Sequence, residues 1–123
     1  MIILNYQDRR PIYEQVVEKF QMLIIKGALK PDEQMPSVRK LAIELSLNPN
    51  TIQRAFGVLE ARGYIYAVKG RGNFVSGQEN YVKERRNEIY RQFEEAVIQA
   101  LDAGIEKAVL IEYVNDTADK GVL

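Results

Sequence analysis

The feature that most constrains the fold is a pair of short amphipathic helices separated by a tight turn, Ser46-Leu47. Ser37 and Asn48 suit the N-cap position, and Pro49 suits the first position of a helix because its missing N–H costs nothing there. Apolar residues then recur at i, i+3, i+4 and i+7, which is typical of a helix with one buried face. These stripes comprise Val38, Leu41, Ala42 and Leu45, then Ile52, Ala55, Phe56 and Leu59. The pattern predicts a helix-turn-helix, although any helical hairpin would show the same spacing.

Another amphipathic helix is predicted before this pair. Pro11 suits its first turn, an apolar stripe runs from Tyr13 to Ile24, and Gly27 is a natural stop. The stretch from Ala28 to Pro36, with its prolines and aspartate, is predicted to be a loop.

After the pair, the pattern changes from helix to strand. Residues from Tyr64 to Val68 are rich in strand formers, the glycine-rich stretch 69–72 is typical of a turn, and residues 73–75 can return as a second strand. The pattern predicts a β-hairpin. A hairpin directly after a helix-turn-helix is typical of a wing.

The remaining chain is predicted to be helical. Residues 79–102 are strongly charged and carry one apolar face, and Gly104 separates them from a last segment over residues 105–116. The apolar run in that segment fits either a strand or a helix, and we favour a helix because helix-forming charged residues surround it.

These elements predict a mostly α-helical chain with a small β-hairpin. Residues 1–77 form an N-terminal winged helix-turn-helix that binds DNA, and residues 78–123 form a two-helix C-terminal dimerisation tail, with 77–80 as a linker. Residues 1–77 hold 11 basic and 7 acidic residues, whereas residues 78–123 hold 6 and 10. The positive part suits a polyanion such as nucleic acid, although differences of this size are common in short segments.

Composition excludes several classes of function. The chain has no cysteine and no histidine, so it lacks disulfides, cysteine-based zinc sites, and the commonest metal ligand and general base. We therefore expect a protein that is not an enzyme and needs no cofactor. The first residues lack the features of a signal peptide, and no apolar stretch approaches the roughly 20 residues that cross a bilayer. A cytoplasmic protein without membrane contact is expected.

The outward face of the second helix of the pair carries candidate base contacts. Asn50 and Gln53 can form paired hydrogen bonds with adenine, and Arg54 can reach guanine or phosphate. Thr51 and the N–H groups at the helix start can hold a phosphate. An ordinary solvated face would look similar, so the inference depends on the place of these residues in the turns that enter the major groove.

Two further sets of residues are candidates for contacts with DNA. Arg39, with Lys40 as a weaker candidate, lies where the first helix of the pair crosses the DNA backbone. The hairpin tip combines positive charge with glycine, which allows close approach. It comprises Lys69, Gly70, Arg71 and Gly72. Arg71 can enter a narrow minor groove, although a plain exposed turn would have the same composition.

Four segments, in their order and spacing, resemble the winged-helix domain of the GntR family of bacterial transcription regulators. They are PSVRKLA, NPNTIQRAF, LEARGYI and GRGNFV, and the similarity covers about residues 5–76. The resemblance implies double-stranded DNA as the partner. It places Arg39 near phosphate or base and Gly70 at the wing tip. Asn50, Thr51 and Gln53 take the recognition face.

The chain departs from this family at three positions. Some members have arginine in place of Pro49 and of Gln53, so base preference should not be copied from them. Asp32 stands where glycine is usual, which affects the local backbone.

The segment after the winged helix is similar to the tail of the YtrA-type subfamily, in which two helices build the dimer interface. The resemblance implies a homodimeric repressor on a palindromic operator, often linked to transporter genes. A small-molecule effector bound between the tails and the DNA-binding domains is a further hypothesis. The aromatic residues for such a pocket are Tyr81, Tyr90, Phe93 and Tyr113, which equally suit a core or an interface.

The apolar face of the tail is the candidate dimer interface. A tail this short cannot cover the face itself, whereas a second copy would cover it and supply the second recognition helix of a palindrome. The candidate residues are Ile89, Phe93, Ala96, Val97, Leu101, Leu110, Ile111 and Val114. Two alternatives stay open: a monomer whose tail folds back on residues 1–77, and a winged helix that binds protein instead of DNA.

Overall fold

The computed structural model describes residues 2–121. In that range the chain forms five α-helices and one antiparallel β-hairpin. The elements are α1 (Ile12–Ile25), α2 (Val38–Leu45), α3 (Pro49–Ala61), β1 (Ile65–Val68), β2 (Gly72–Val75), α4 (Gln78–Asp102) and α5 (Lys107–Gly121). The predicted fold class is confirmed, and the last segment is a helix rather than a strand.

Side-chain caps explain where the two central helices begin. The Ser37 hydroxyl accepts a hydrogen bond from the Lys40 backbone N–H at 3.1 Å, and the Asn48 side-chain oxygen accepts one from the Asn50 N–H at 2.8 Å. Pro49 occupies the first turn of α3. Each cap satisfies an N–H that has no partner inside its own helix, so α2 and α3 can start cleanly on either side of a tight turn.

The hydrophobic core is built mainly from α1, α2, α3 and the hairpin, and Ile2, Leu29 and Met35 join it from the adjoining segments. Phe20 of α1 and Phe56 of α3 are buried and meet edge to face, with 5.9 Å between their ring centroids. Ala42 is buried on α2, where a small side chain suits a close helix crossing. The other fully buried large side chains are Val16, Leu41, Ile52, Leu59, Ile65 and Val75. This packing leaves the opposite face of α3 open to solvent.

The hairpin is short and tightly turned. Ile65 lies opposite Val75 and Val68 opposite Gly72, so the loop comprises residues 69–71 and Gly72 belongs to β2 rather than to the turn. Gly70 and Gly72 have φ angles of 77° and 113°. Residues with a side chain rarely adopt such angles, so glycine is needed at both positions.

The predicted loop between α1 and α2 contains a strand-like stretch along β2, residues 32–35, which we call the edge segment. Its backbone hydrogen bonds run from Asp32 N to Val75 O (2.7 Å), from Val75 N to Glu33 O (2.9 Å) and from Met35 N to Asn73 O (2.8 Å). Gln34 forms an antiparallel bridge with Phe74. The edge segment thereby joins the approach to α2 with the wing.

The start of α4 packs closely against the turn between α3 and β1. Gly63, in that turn, has a φ of 83°, and a Cβ there would lie 2.9 Å from the Asn80 carbonyl oxygen. Tyr64 stacks on Tyr81 with 4.7 Å between ring centroids. Because α4 starts at Gln78, the predicted linker is mostly helical.

The chain divides into two compact units between Arg85 and Arg86. We call the described residues on either side the N-terminal unit (2–85) and the C-terminal unit (86–121). The assignment of DNA binding to residues 1–77 and of dimerisation to residues 78–123 stays a prediction. Met1, Val122 and Leu123, which belong to those ranges, lie outside the described residues.

The C-terminal unit contains the larger part of α4 and all of α5, with Gly104 between them at a φ of 89°. No residue from 86 to 121 is buried. Its exposed large apolar side chains include Ile89, Phe93, Leu101, Ile111 and Val114. Within residues 2–121, no helix has the length and apolar character that a bilayer crossing requires.

Candidate nucleic-acid interface

Asn50, Gln53 and Gly57 form an exposed stripe on α3. Their spacing of i, i+3 and i+7 places them on one face of the helix. The opposite face is buried in the core and comprises Ile52, Ala55, Phe56 and Leu59. The side-chain amides of Asn50 and Gln53 have no hydrogen-bond partner within residues 2–121. Both amides are therefore available to pair with another molecule.

The N–H groups at the start of α3 are already paired. The N–H groups of Asn50, Thr51 and Ile52 all donate to Asn48, at 2.8 Å to its side chain and at 2.9 and 3.4 Å to its carbonyl. The N–H groups that were predicted to hold a phosphate are therefore not free. Of the predicted phosphate contact, the Thr51 hydroxyl remains. The Thr51 residue is half-buried, and its hydroxyl forms no hydrogen bond within the described chain.

Gly57 has no packing reason to be glycine. A Cβ built there meets no atom within 4 Å, and glycine inside a helix costs about 0.5–1 kcal/mol relative to alanine. Glycine at an open position of a helix allows the backbone of another molecule to approach the helix closely.

Arg54 has a contact that the sequence did not predict. Its guanidinium lies 3.9 Å from the centroid of the Tyr13 ring on α1. Cation–π contacts of this kind contribute about 0.5–1 kcal/mol at exposed sites. The contact positions Arg54 beside α1, whereas Gln53 projects from the exposed stripe without such a contact.

Arg39 and Lys40 lie in the first turn of α2, directly after the Ser37 cap. Both residues are exposed, and neither side chain forms an ion pair or hydrogen bond within residues 2–121. Two unpaired cations at one helix start form a positive surface that suits an anionic partner.

The wing tip holds two more exposed cations, Lys69 and Arg71. The backbone of Arg71 is fixed on both sides: its N–H donates to the Val68 carbonyl at 2.9 Å, and its carbonyl accepts a hydrogen bond from Gln34 Nε2 at 2.9 Å. Its guanidinium has no partner in the part of the chain that the structure describes. The tip therefore presents a free cation on a constrained backbone.

Asp32 connects the edge segment to the side of the wing. Its carboxylate accepts a hydrogen bond from the Tyr66 hydroxyl at 2.7 Å, and this bond raises the pKa of Tyr66. Tyr66 in turn stacks on Phe74 with 5.7 Å between ring centroids. Asp32 has a φ of 67°. Glycine adopts this left-handed angle without strain, which explains why glycine is usual at this position in the family that the sequence resembles.

The four aromatic residues considered for an effector pocket divide between the two units. Tyr81 is engaged with Tyr64 in the N-terminal unit, whereas Tyr90 is 70%, Phe93 54% and Tyr113 72% exposed. A groove of about 470 Å³ in the N-terminal unit has other walls, including Glu14 of α1 and Arg62 after α3. Residues 2–121 contain no cluster of side chains that could hold a metal ion.

The family profile of bacterial regulatory proteins, gntR family, matches residues 12–75. The chain belongs to the GntR family. Members of this family are DNA-binding transcription regulators rather than enzymes, and the match spans α1, the helix-turn-helix and the whole wing.

Relatives of this GntR chain extend the similarity beyond the winged helix. The HTH-type transcriptional repressor YtrA of Bacillus subtilis is 35% identical over 118 residues, which cover 94% of this chain and 91% of that protein. The structure of YtrA from Sulfolobus acidocaldarius, a GntR-family transcription factor, has a TM-score of 0.64 at 29% identity and covers 98% of each chain. The YtrA-type resemblance is therefore confirmed over both units.

Several of the similar solved structures are complexes with operator DNA. AraR(DBD), solved in complex with operator ORR3, is 32% identical with a TM-score of 0.54, and the match covers 62% of this chain and 92% of that one. The DNA-bound chain is therefore similar to this one over a stretch of the length of the winged helix, and the role of each candidate residue stays a prediction.

Sequence reasoning missed two side chains of this GntR winged helix, Tyr13 and Gln34. Tyr13 contacts Arg54 from α1, and Gln34 contacts the Arg71 backbone from the edge segment. Tyr13 was assigned only to an apolar stripe, and the polar hydroxyl of its ring was the available signal that it lies at the edge of that stripe. Gln34 lay in a predicted loop and had no signal.

Proposed function

We propose that this chain represses transcription as a homodimer bound to a palindromic operator. The observation that carries the proposal is the exposed stripe of α3, where Asn50 and Gln53 have free amides above a fully packed helix-turn-helix core. Such amides pair with adenine edges in the major groove. The repressor YtrA and the operator-bound AraR domain are similar proteins that support this reading.

The remaining DNA contacts divide by chemistry. Arg39 and Lys40 bind phosphates where α2 crosses the backbone, and the Thr51 hydroxyl adds a phosphate contact at the start of α3. The wing tip inserts Arg71 into the minor groove. Lys69, Gly70 and Gly72 complete the tip, whose glycines allow its close approach. Arg54 positions α3 against α1 through Tyr13 and contacts phosphate at the edge of the interface.

Dimerisation supplies the second half-site. The proposed interface comprises Ile89, Phe93, Ala96, Val97, Leu101, Leu110, Ile111 and Val114. Within one chain none of these residues is buried, and all except Val97 and Leu110 are exposed. Covering them with a second copy removes apolar surface from water at about 25 cal/mol per Å². A two-fold dimer then presents two copies of α3 to a palindrome.

The regulated genes follow only from the resemblance. We propose that the operator lies before a transporter operon and that the repressor works in the cytoplasm, where bacterial DNA is. Deleting the gene should raise the transcript level of that operon, and an unchanged transcriptome would contradict this part of the proposal.

The direct test is selection of duplexes from a random DNA library, followed by fluorescence anisotropy on the selected site. We expect a palindromic consensus, affinity at least about 10³-fold above that for random duplex, and a steep loss of affinity with salt. Weak, salt-sensitive binding without a consensus would contradict sequence-specific repression and favour a winged helix that binds protein.

Two variants then separate base recognition from phosphate contact. Gln53→Ala should cost about 1–3 kcal/mol at one base pair of each half-site and relax specificity there. Arg39→Ala should weaken binding to all duplexes alike and lower the salt slope. Equal losses for both variants on selected and random DNA would contradict a base contact by Gln53.

Effector control remains a separate hypothesis. A ligand can change the spacing of the two recognition helices only if it binds the two arrangements with unequal affinity. A panel of metabolites should then contain one that changes the affinity for the selected duplex and raises the melting temperature. No such compound in a broad panel would count against effector control and leave the DNA-binding proposal intact.

A further inference from the structure

The edge segment fixes the wing from outside the hairpin. Three backbone hydrogen bonds join residues 32–35 to β2 at distances between 2.7 and 2.9 Å. The bond nearest to the wing tip is the one to Asn73, which lies two residues beyond the loop of residues 69–71. Backbone pairing alone therefore does not reach the wing tip.

The Gln34 side chain extends this pairing to the tip. Its Nε2 donates to the Arg71 carbonyl at 2.9 Å, although the two residues are 37 positions apart. The Arg71 N–H is already bonded to Val68. Both polar backbone atoms of Arg71 are thus engaged, and its side chain is left exposed and unpaired.

Gly72 provides the space for this contact. A Cβ at Gly72 would lie 3.2 Å from Gln34 Nε2, which is closer than a carbon and an amide nitrogen normally pack. The glycine next to Arg71 therefore serves the Gln34 contact as well as the positive φ of the turn.

We propose that Gln34 is a positioning residue for Arg71, and that it orders the wing tip before DNA binds. This inference rests on the proposed function, in which Arg71 enters the minor groove. Without the Gln34 contact, a glycine-flanked arginine on a three-residue loop would sample more backbone conformations, and DNA binding would have to restrict them. A tip that is already restricted loses less conformational entropy on binding, so the affinity for DNA is higher.

The test uses the full chain and the duplex that it selects from a random library. Gln34→Met keeps the length of the side chain and removes the amide donor. Gln21→Met is the matched control, because Gln21 also makes one exposed side-chain hydrogen bond, to Arg62, in the same unit. Anisotropy gives the Kd for these two variants, for Arg71→Ala and for the double variant Gln34→Met/Arg71→Ala.

We expect Gln34→Met to raise the Kd about three- to tenfold in the parent chain and to leave it unchanged in the Arg71→Ala background. Gln21→Met should not change the Kd, and the melting temperatures of the two methionine variants should agree. A purely structural role for Gln34 would not depend on the presence of Arg71.

Three results would overturn the inference. Equal losses from Gln34→Met with and without Arg71 would mean that Gln34 acts on DNA or on the fold by itself. An unchanged Kd for Gln34→Met, with a raised Kd for Arg71→Ala, would refute the positioning role and leave the proposed wing contact standing. An unchanged Kd for Arg71→Ala would refute the wing contact of the proposed function and the positioning role together.

Discussion

The N-terminal unit buries a core of large apolar side chains, whereas none is buried among residues 86–121 of the C-terminal unit. Phe20 and Phe56 are 0% and 2% exposed, and Phe93 of α4 is 54% exposed. The N-terminal unit closes its core with residues of its own three helices and hairpin. The C-terminal unit has two helices and no buried residue among 86–121. The first unit can therefore be stable by itself, whereas the second needs a cover, which we propose is a second copy.

The same contrast separates what each unit can bind. Polar and cationic groups without partners collect on α2, α3 and the wing of the N-terminal unit, where they suit an anion that carries base edges. Apolar groups without cover collect on α4 and α5, where they suit a protein surface. The two partners that we propose, DNA and another copy of the chain, would account for both surfaces.

The largest expected effect is in the core. Phe20→Ala should lower the free energy of unfolding of the N-terminal unit by about 3–5 kcal/mol, because it removes a buried ring and leaves a cavity. Urea unfolding at several protein concentrations measures this loss, which should not depend on concentration. Phe93→Ala is the matched variant, and its cost should shrink on dilution if a second copy covers that ring. Equal, concentration-independent losses would remove the contrast between the units.

The next effect concerns the proposed dimer. Phe93→Asp should give a monomer, because an unpaired carboxylate cannot be buried cheaply in an apolar interface. Affinity for the selected palindrome should fall on the order of 10³-fold, towards non-specific binding. Sedimentation velocity and anisotropy measure the two effects. Gln99→Asp adds the same charge at an exposed position of α4 outside the proposed interface and should remain dimeric. A monomeric parent chain at micromolar concentration would contradict the interface directly.

A smaller effect separates stability from recognition. Gly57→Ala should raise the free energy of unfolding by about 0.5–1 kcal/mol, since α3 has room for the methyl group. It should also weaken binding to the selected duplex, because the methyl group lies on the stripe with Asn50 and Gln53. Gly121→Ala, in α5, has similar free space and should leave DNA affinity unchanged. A Gly57→Ala variant with full affinity would mean that DNA does not approach α3 at this position.

Most of the fold could be predicted from local signals. Ser37, Asn48 and Pro49 mark the helix starts by their side-chain chemistry, and the 3.6-residue period identified the buried faces. Boundaries were less accurate where no cap was present. The last helix continues to Gly121, beyond the predicted end near residue 116, and no proline interrupts that stretch.

Contacts between distant residues could not be predicted. The edge segment has no strand pattern of its own, and its pairing exists only because β2 lies beside it. The period of α3 correctly placed Arg54 away from the core, but its ring contact with Tyr13 depends on how α1 and α3 pack. Tyr81 was considered for a pocket, and its stacking on Tyr64 depends on the close approach at Gly63.

That close approach has a consequence for which replacements the chain tolerates. At position 63 a side chain would be strained by the positive φ and would collide with the Asn80 carbonyl at 2.9 Å, so any replacement should reduce the amount of folded protein in the cell. At position 57 a Cβ meets no other atom of the protein within 4 Å, so replacements other than proline should keep the protein abundant and impair only repression. A survey of all single replacements, read once by abundance and once by repression, would therefore report on folding at one glycine and on DNA recognition at the other.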